Sequence, residues 1–214
     1  MTTSPAPESK RAPAGQAAIL AAASAVFAQR GYSGASLSEI AARAGVSKAN
    51  IHHHFGSKRG LYLAVMQAAC ARTAGFLTRA DGLPRATDPA AVLRAFLENH
   101  LQALLGHAGD ARLILREMLG GDDTQVRDLA EEVFADYARA LVDRVERAQQ
   151  AGALRQDFDA SLLAFVLFAV NSFFFQTQRV VPHIEAARFS TEPATFVAEV
   201  FDLLMRGARG GGVS

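Results

Sequence analysis

An all-α chain of about nine helices is predicted by three observations. Apolar residues recur at three- and four-residue spacing along most of the sequence. No alternating stretch of useful strand length occurs. The breaks between periodic segments carry Ser, Asp, Pro and Gly, the residues that start and stop helices. With 214 residues, half of them apolar and a fifth charged, the chain can bury a core in one or two domains.

The first segment, residues 1–13, holds Pro5, Pro7 and Pro13 among Ser and Thr and reads as a disordered arm. A helix is expected from about Gly15 to Arg30, stopped by Gly31 as a left-handed cap. Ser36-Leu37-Ser38-Glu39 has the form of a capping box, opening a short helix that ends at Ala44-Gly45. Ser47 caps a second short helix closed by Phe55-Gly56, and Ser57 starts a long one to about Arg79. Asp81-Gly82-Leu83-Pro84 interrupts the pattern, and Asp88-Pro89 restarts it as cap and first helical residue. That helix runs to Gly106, followed by a short one from Asp110 to Gly120. Long helices are then expected from about Thr124 to Gly152 and from Asp159 to about Val181, with a last one from Glu192 to Arg209. The domain division that follows is an arm (1–13), a three-helix head (14–60) and a helical body (61–214).

Two apolar stretches invite a membrane or export reading. Ala12 to Phe27 follows Lys10-Arg11, but Gln16 and Ser24 break it and its large apolar residues share one helical face. Leu162 to Phe175 spans 14 residues and contains Asn171 and Ser172, whereas a bilayer crossing needs about 20. No membrane partner is expected. Cys70 is the single cysteine, which excludes an internal disulfide and a cysteine zinc site and favours a cytoplasmic setting.

Charge separates the two ends of the chain. Residues 1–60 hold seven Lys and Arg against two acids, while residues 61–214 hold 15 against 19. A near-neutral total of +1 therefore conceals a basic head on an acidic body. The spacing of the two short helices around Ala44-Gly45-Val46-Ser47 is that of a helix-turn-helix, whose second helix enters a DNA major groove. Helix N-termini favour acids, yet the first turns after Ser47 and Ser57 carry Lys48 and Lys58-Arg59 with no acid. A docked phosphate would join the free amides and the basic side chains.

These residues resemble a known family. Phe27, Gly31-Tyr32, Ser36, Ile40-Ala41, Ala44-Gly45-Val46-Ser47, Phe55, Ser57-Lys58 and Leu61-Tyr62 fall at the spacing of the DNA-binding head of TetR-family transcriptional regulators. The resemblance implies a homodimer on a palindromic double-stranded operator, usually a repressor released by a small-molecule effector. It places Ser36 and Ser38 on phosphates, Ser47, Lys48, Ala49, Asn50, His52 and His53 at the groove and its walls, and Lys58 on a phosphate from the next helix. The chain departs from that family in having His52-His53-His54 where one or two tyrosines are common. Adjacent helical residues point about 100° apart, so the three imidazoles cannot chelate one metal. Asn50 is either a two-pronged adenine reader or a surface residue.

In the body, the helix expected over Ser161 to Val180 is apolar all round and must be covered on every face. Leu162, Phe165, Val166, Ala169 and Phe173, with Phe196, Val200, Phe201 and Leu204 of the last helix, are the expected dimer interface. Met66, Cys70, His100, Glu117 and Asn171, polar or soft groups within apolar stretches, are the candidate effector contacts. No nucleophile elbow, P-loop, zincin motif or Cys/His ligand cluster occurs, so no enzyme, no metal and no cofactor is expected. A DNA-binding activator or architectural protein without an effector shares the same head, and an all-helical enzyme with a scattered site is the remote alternative.

Overall fold

The structure, a computed structural model, describes residues 12–79, 88–120, 123–189 and 191–208. They form helices α1 (Ala12–Gly34), α2 (Leu37–Ala44), α3 (Lys48–Phe55), α4 (Lys58–Thr73), α5 (Pro89–Gly106), α6 (Ala108–Gly120), α7 (Asp123–Leu129), α8 (Ala135–Gln150), α9 (Ala160–Thr177) and α10 (Pro193–Ala208). No strand occurs among the described residues. Residues 1–11 of the expected arm and the break at Asp81–Pro84 lie outside the described residues. The helix already includes Ala12 and Pro13, since proline lacks only an amide that a first turn leaves unpaired. Two compact units part between Val65 and Met66.

In the first unit, serine hydroxyls open three successive helices in one way. Ser36 accepts from the Glu39 amide at 3.1 Å, Ser47 from the Asn50 amide at 3.2 Å and Ser57 from the Gly60 amide at 3.0 Å. The expected capping box is half formed, because the Glu39 carboxylate is engaged by Arg30 Nε at 2.9 Å. Gly31 interrupts α1 with φ 70° and ψ 176° rather than as the left-handed cap expected. That region of backbone space belongs almost entirely to glycine. The core joins Ile19, Val26, Phe27, Ile40, Ile51 and Leu61, all fully buried. Tyr62 sits edge-on to both Phe27 (5.3 Å between centroids) and Tyr32 (4.8 Å), locking α1 to the first turn of α4.

In the second unit α5 lies at the centre, packed against α8, α9 and α10. Leu93, Phe96, Leu97 and Leu101 of α5 meet Leu141 and Val145 of α8, Leu163 and Leu167 of α9, and Val197, Phe201 and Met205 of α10. The helix begun at Lys58 ends at Thr73, earlier than the expected Arg79. The Thr73 hydroxyl donates back to Ala69 O at 3.1 Å, Ala74 leaves helical geometry, and Gly75–Leu77 forms a 3₁₀ turn. Arg144 of α8 donates through Nη2 to Leu77 O at 2.7 Å, pinning that turn. Between α7 and α8 the chain stays helical but widens to a π-helical segment at Ala130–Phe134. Its Glu132 carbonyl accepts from Gln67 of α4 at 3.3 Å. Among the described residues α9 is the one helix long and apolar enough to cross a membrane, yet 44% of it is buried within its own unit.

Candidate functional site

The first unit presents its basic, polar side chains on α2, α3 and the start of α4. Ser36, Ser38, Ser47, Lys48, Ala49, His52 and His53 are exposed, while Asn50 and Lys58 are half-buried. No acid lies in the first turn of α3 or α4, so the amide dipoles there face basic side chains alone. His52 Nδ1 donates to Gly56 O at 2.9 Å; a carbonyl only accepts, so this imidazole is tied to the end of α3 and offers Nε2 outward. His54 packs its ring against Phe55 (6.1 Å) and His53 (5.3 Å). Asn50 turns its amide inward, with Oδ1 buried and unpaired, so two-pronged adenine reading requires a different rotamer. Lys58 donates to Ser33 O at 3.4 Å and lies over the Tyr32 ring at 4.7 Å, an aromatic anchor that sequence reasoning did not single out.

The second unit contains a cavity of about 330 Å³. Its walls come from the end of α4, α5, α6, the π-helical segment, α8 and α9, and are mostly apolar. Of the candidate effector contacts, Cys70 and His100 are on the wall. Met66, Glu117 and Asn171 are not in that lining: Met66 is core, Glu117 is buried against the Arg116 guanidinium at 2.8 Å, and Asn171 serves α5. The wall residues missed include Thr73, Phe96, Phe134, Tyr137, Phe168 and Ser172. In the sequence their large members look like any core residue, and only Thr73 and Ser172, small polar groups inside apolar helices, offered a signal.

Burial, with the Asp110 carboxylate adding to it, pushes the Cys70 thiol up to about 12, so it stays protonated and inert. His100 is stacked between Phe96 (5.3 Å, 20°) and Phe168 (5.0 Å, 24°). Asn171 Nδ2 donates to Leu97 O at 2.9 Å and faces His100 Nδ1 at 3.4 Å. Since an amide NH₂ can only donate, Nδ1 is the acceptor and the proton of the neutral ring sits on Nε2. Burial lowers this imidazole from 6.5 to about 3. The sign of the consequence follows from linkage: below 6.5 the unfolded chain takes up a proton that the folded chain refuses. The stability contributed by neutral His100 is whole above 6.5 and falls by about 1.4 kcal/mol per pH unit as pH drops toward 3. We expect urea unfolding midpoints to fall between about pH 7.5 and about pH 5, and His100→Phe to flatten that fall. An equal slope in the variant would show that other groups carry the acid sensitivity.

Leu162, Phe165 and Phe173 form one stripe on α9 and are 59%, 68% and 67% exposed, with Val166 and Ala169 half-buried beside them. On α10 the expected set is divided. Phe196, Val200 and Leu204 are half-buried, but Phe201 belongs to the core of its own chain, its ring beneath the Arg94 guanidinium at 5.9 Å. The outward residue is Leu203, 72% exposed and one position round the helix from Leu204. Among the described residues no group of three or more His, Cys, Asp or Glu side chains could hold a metal.

Residues 19–65 match the family model described as bacterial regulatory proteins, tetR family, and residues 119–192 match that of the tetracyclin repressor-like C-terminal domain. The chain is 36% identical over 176 residues to the HTH-type transcriptional repressor Rv3405c of Mycobacterium tuberculosis, covering 78% of this chain and 85% of that one. The chain belongs to the TetR family of bacterial transcriptional regulators. Its helix-turn-helix is thus the DNA-binding element of a transcriptional regulator, and its relatives are regulators rather than enzymes. This TetR-family head is also 59% identical over 49 residues to the HTH-type transcriptional activator FasR of Mycolicibacterium smegmatis, a match spanning 22% of that protein's length. The fold of transcriptional regulator FadR from Bacillus subtilis, solved in complex with stearoyl-CoA, superposes with a TM-score of 0.73 at 18% identity, over 89% of this chain and 98% of that one.

Proposed function

We propose that this TetR-family regulator is a cytoplasmic homodimeric repressor that leaves a palindromic operator when a small molecule fills the cavity of its second unit. The observation that carries the reading is that cavity: a volume at the lower end of ligand-pocket sizes, with apolar walls and few polar groups. An architectural protein without an effector has no use for it. In this reading residues 14–60 are the DNA-binding domain and 61–214 the effector-binding and dimerisation domain. Ser36, Ser38 and Lys58 hold phosphates, while Ser47, Lys48, Ala49, His52 and His53 face the groove. Asn50 joins them by changing rotamer. The dimer is closed by the α9 stripe with Phe196, Val200, Leu203 and Leu204. Two recognition helices must sit about 34 Å apart to read both half-sites, and the effector must prefer a different spacing to shift that equilibrium. The named repressor relative supports the direction of control, and the head's likeness to a named activator makes a transcription assay the arbiter.

The test is fluorescence anisotropy on the DNA flanking the regulator's own gene and on sites selected from random duplexes. Affinity is expected to fall about a thousandfold between roughly 50 and 200 mM salt, as several phosphate contacts require. Transcription from the bound promoter is expected to rise when the effector is added. A protein that selects no site, or whose site-bound form raises transcription, overturns the repressor reading.

A further inference from the structure

We propose that the effector is an uncharged, largely apolar molecule of about a dozen heavy atoms, anchored by one oxygen that accepts a hydrogen bond from His100 Nε2–H. The proposal rests on the effector-site reading above and gives that site its ligand chemistry.

Size comes first. The cavity of about 330 Å³ is about twice the ~150 Å³ space that takes up one benzene. Charge comes next: no Asp, Glu, Lys or Arg lines it. A carboxylate or phosphate placed there would lose its water and gain no counter-ion, a penalty far larger than one hydrogen bond returns. The anchor follows from the surroundings of His100, which is only 1% exposed. Phe96 and Phe168 cover both faces of its ring, and Asn171, which is not on the cavity wall, occupies the Nδ1 edge. With both faces and the Nδ1 edge taken, the edge that remains for a cavity occupant is the one bearing Nε2; the contact with Asn171, whose own Oδ1 is buried and unpaired, is at Nδ1. A ligand oxygen placed at Nε2–H gives that donor a hydrogen-bond partner inside an apolar chamber, with the ring already held in place by its neighbours.

The other polar groups on the wall are committed or wet. Thr73 spends its hydroxyl proton on Ala69 O at 3.1 Å and Ser172 on Phe168 O at 2.9 Å. Tyr137 is half-buried and Ser161 exposed, so water competes at both. The pattern of one uncommitted donor in an apolar chamber fits a ketone, ester or lactone and disfavours an acid.

The experiment uses the full-length protein and three isosteric probes: benzylacetone (ketone), hydrocinnamate (carboxylate) and isopentylbenzene (hydrocarbon). Binding is measured by calorimetry, and the tautomer of His100 by imidazole nitrogen NMR at neutral pH. We expect the ketone to bind about threefold to tenfold more tightly than the hydrocarbon, and hydrocinnamate at least about a hundredfold more weakly than the ketone. In His100→Phe the ketone's advantage disappears while isopentylbenzene still binds, which also shows that the variant is folded. The NMR is expected to show the Nε2–H form. Binding of hydrocinnamate equal to that of the ketone, an advantage that survives His100→Phe, or an Nδ1–H ring overturns the proposal while leaving the cavity a ligand site. Failure of all three probes to bind overturns the effector-site reading itself.

Discussion

Gly60→Ala is expected to destabilise the head and cost at least tenfold in operator affinity, although alanine is the better helix former. A Cβ on Gly60 would overlap the Phe55 carbonyl oxygen, well inside any real contact. That oxygen cannot swing aside freely, because it accepts the Ser57 amide at 2.8 Å. The two opposing terms differ in size. Alanine gains up to about 1 kcal/mol of helix propensity, whereas forcing an extra carbon into a packed junction costs about 1–3 kcal/mol. Relief requires α3 to shift against α4, and α3 is the element that reads DNA. Gly109→Ala is the control: nothing lies within 4 Å of its Cβ, so stability should hold or rise. Thermal unfolding and operator anisotropy on both variants test the contrast, and equal behaviour would show that the junction yields.

Replacing Leu162 and Phe173 together by Glu is expected to give a folded monomer. Both side chains are mostly exposed, so the substitution removes little from the core of the chain itself. In a dimer closed by this stripe each would become a buried, unpaired carboxylate, which an apolar interface does not tolerate. A monomer reads one half-site, so specific affinity for the full operator should fall at least about a thousandfold, toward the non-specific level. Sedimentation and circular dichroism decide the matter: a dimer that persists in the double variant places the interface elsewhere. Neither residue lines the cavity, so ligand binding reports separately from assembly.

The head was legible because its signals are local. Ser36, Ser47 and Ser57 each satisfy an amide three residues on, and Gly45 ends α2 in the left-handed conformation, so spacing alone carries the fold. The early end of α4 was not legible, since Gly75 is a weak stop in an otherwise helical run, and the local Thr73 bond to Ala69 O and the Arg144 bond to Leu77 O that accompany the turn show only in three dimensions. The π-helical segment at Ala130–Phe134 leaves no mark on apolar periodicity and shows only in three dimensions. The burial of Phe201 in its own chain and the exposure of Leu203 were hard to read for a related reason. The α10 stripe is wide enough to serve two neighbours, and the sequence does not say which part meets α5 of the same chain. The cavity wall was the least legible, because an apolar residue facing a void and one facing a neighbour are chosen by the same chemistry. Asn171 stands out in the sequence as a polar group in an apolar run, and in the fold it lies off the cavity wall, bonded to Leu97 O and facing His100 Nδ1.

Phe165 belongs to two surfaces at once: it lines the cavity and stands 68% exposed in the α9 stripe. In a dimer built on that stripe, whatever a ligand does to the ring is felt by the partner, and whatever the partner does is felt by the ligand. The two associations then share one coupling energy, equal in both directions. The concentration of effector that half-empties the operator would therefore shift with the number of copies of the regulator in the cell. Such a sensor has a set point that depends on its own abundance. If it represses its own gene, each round of induction would move the threshold for the next.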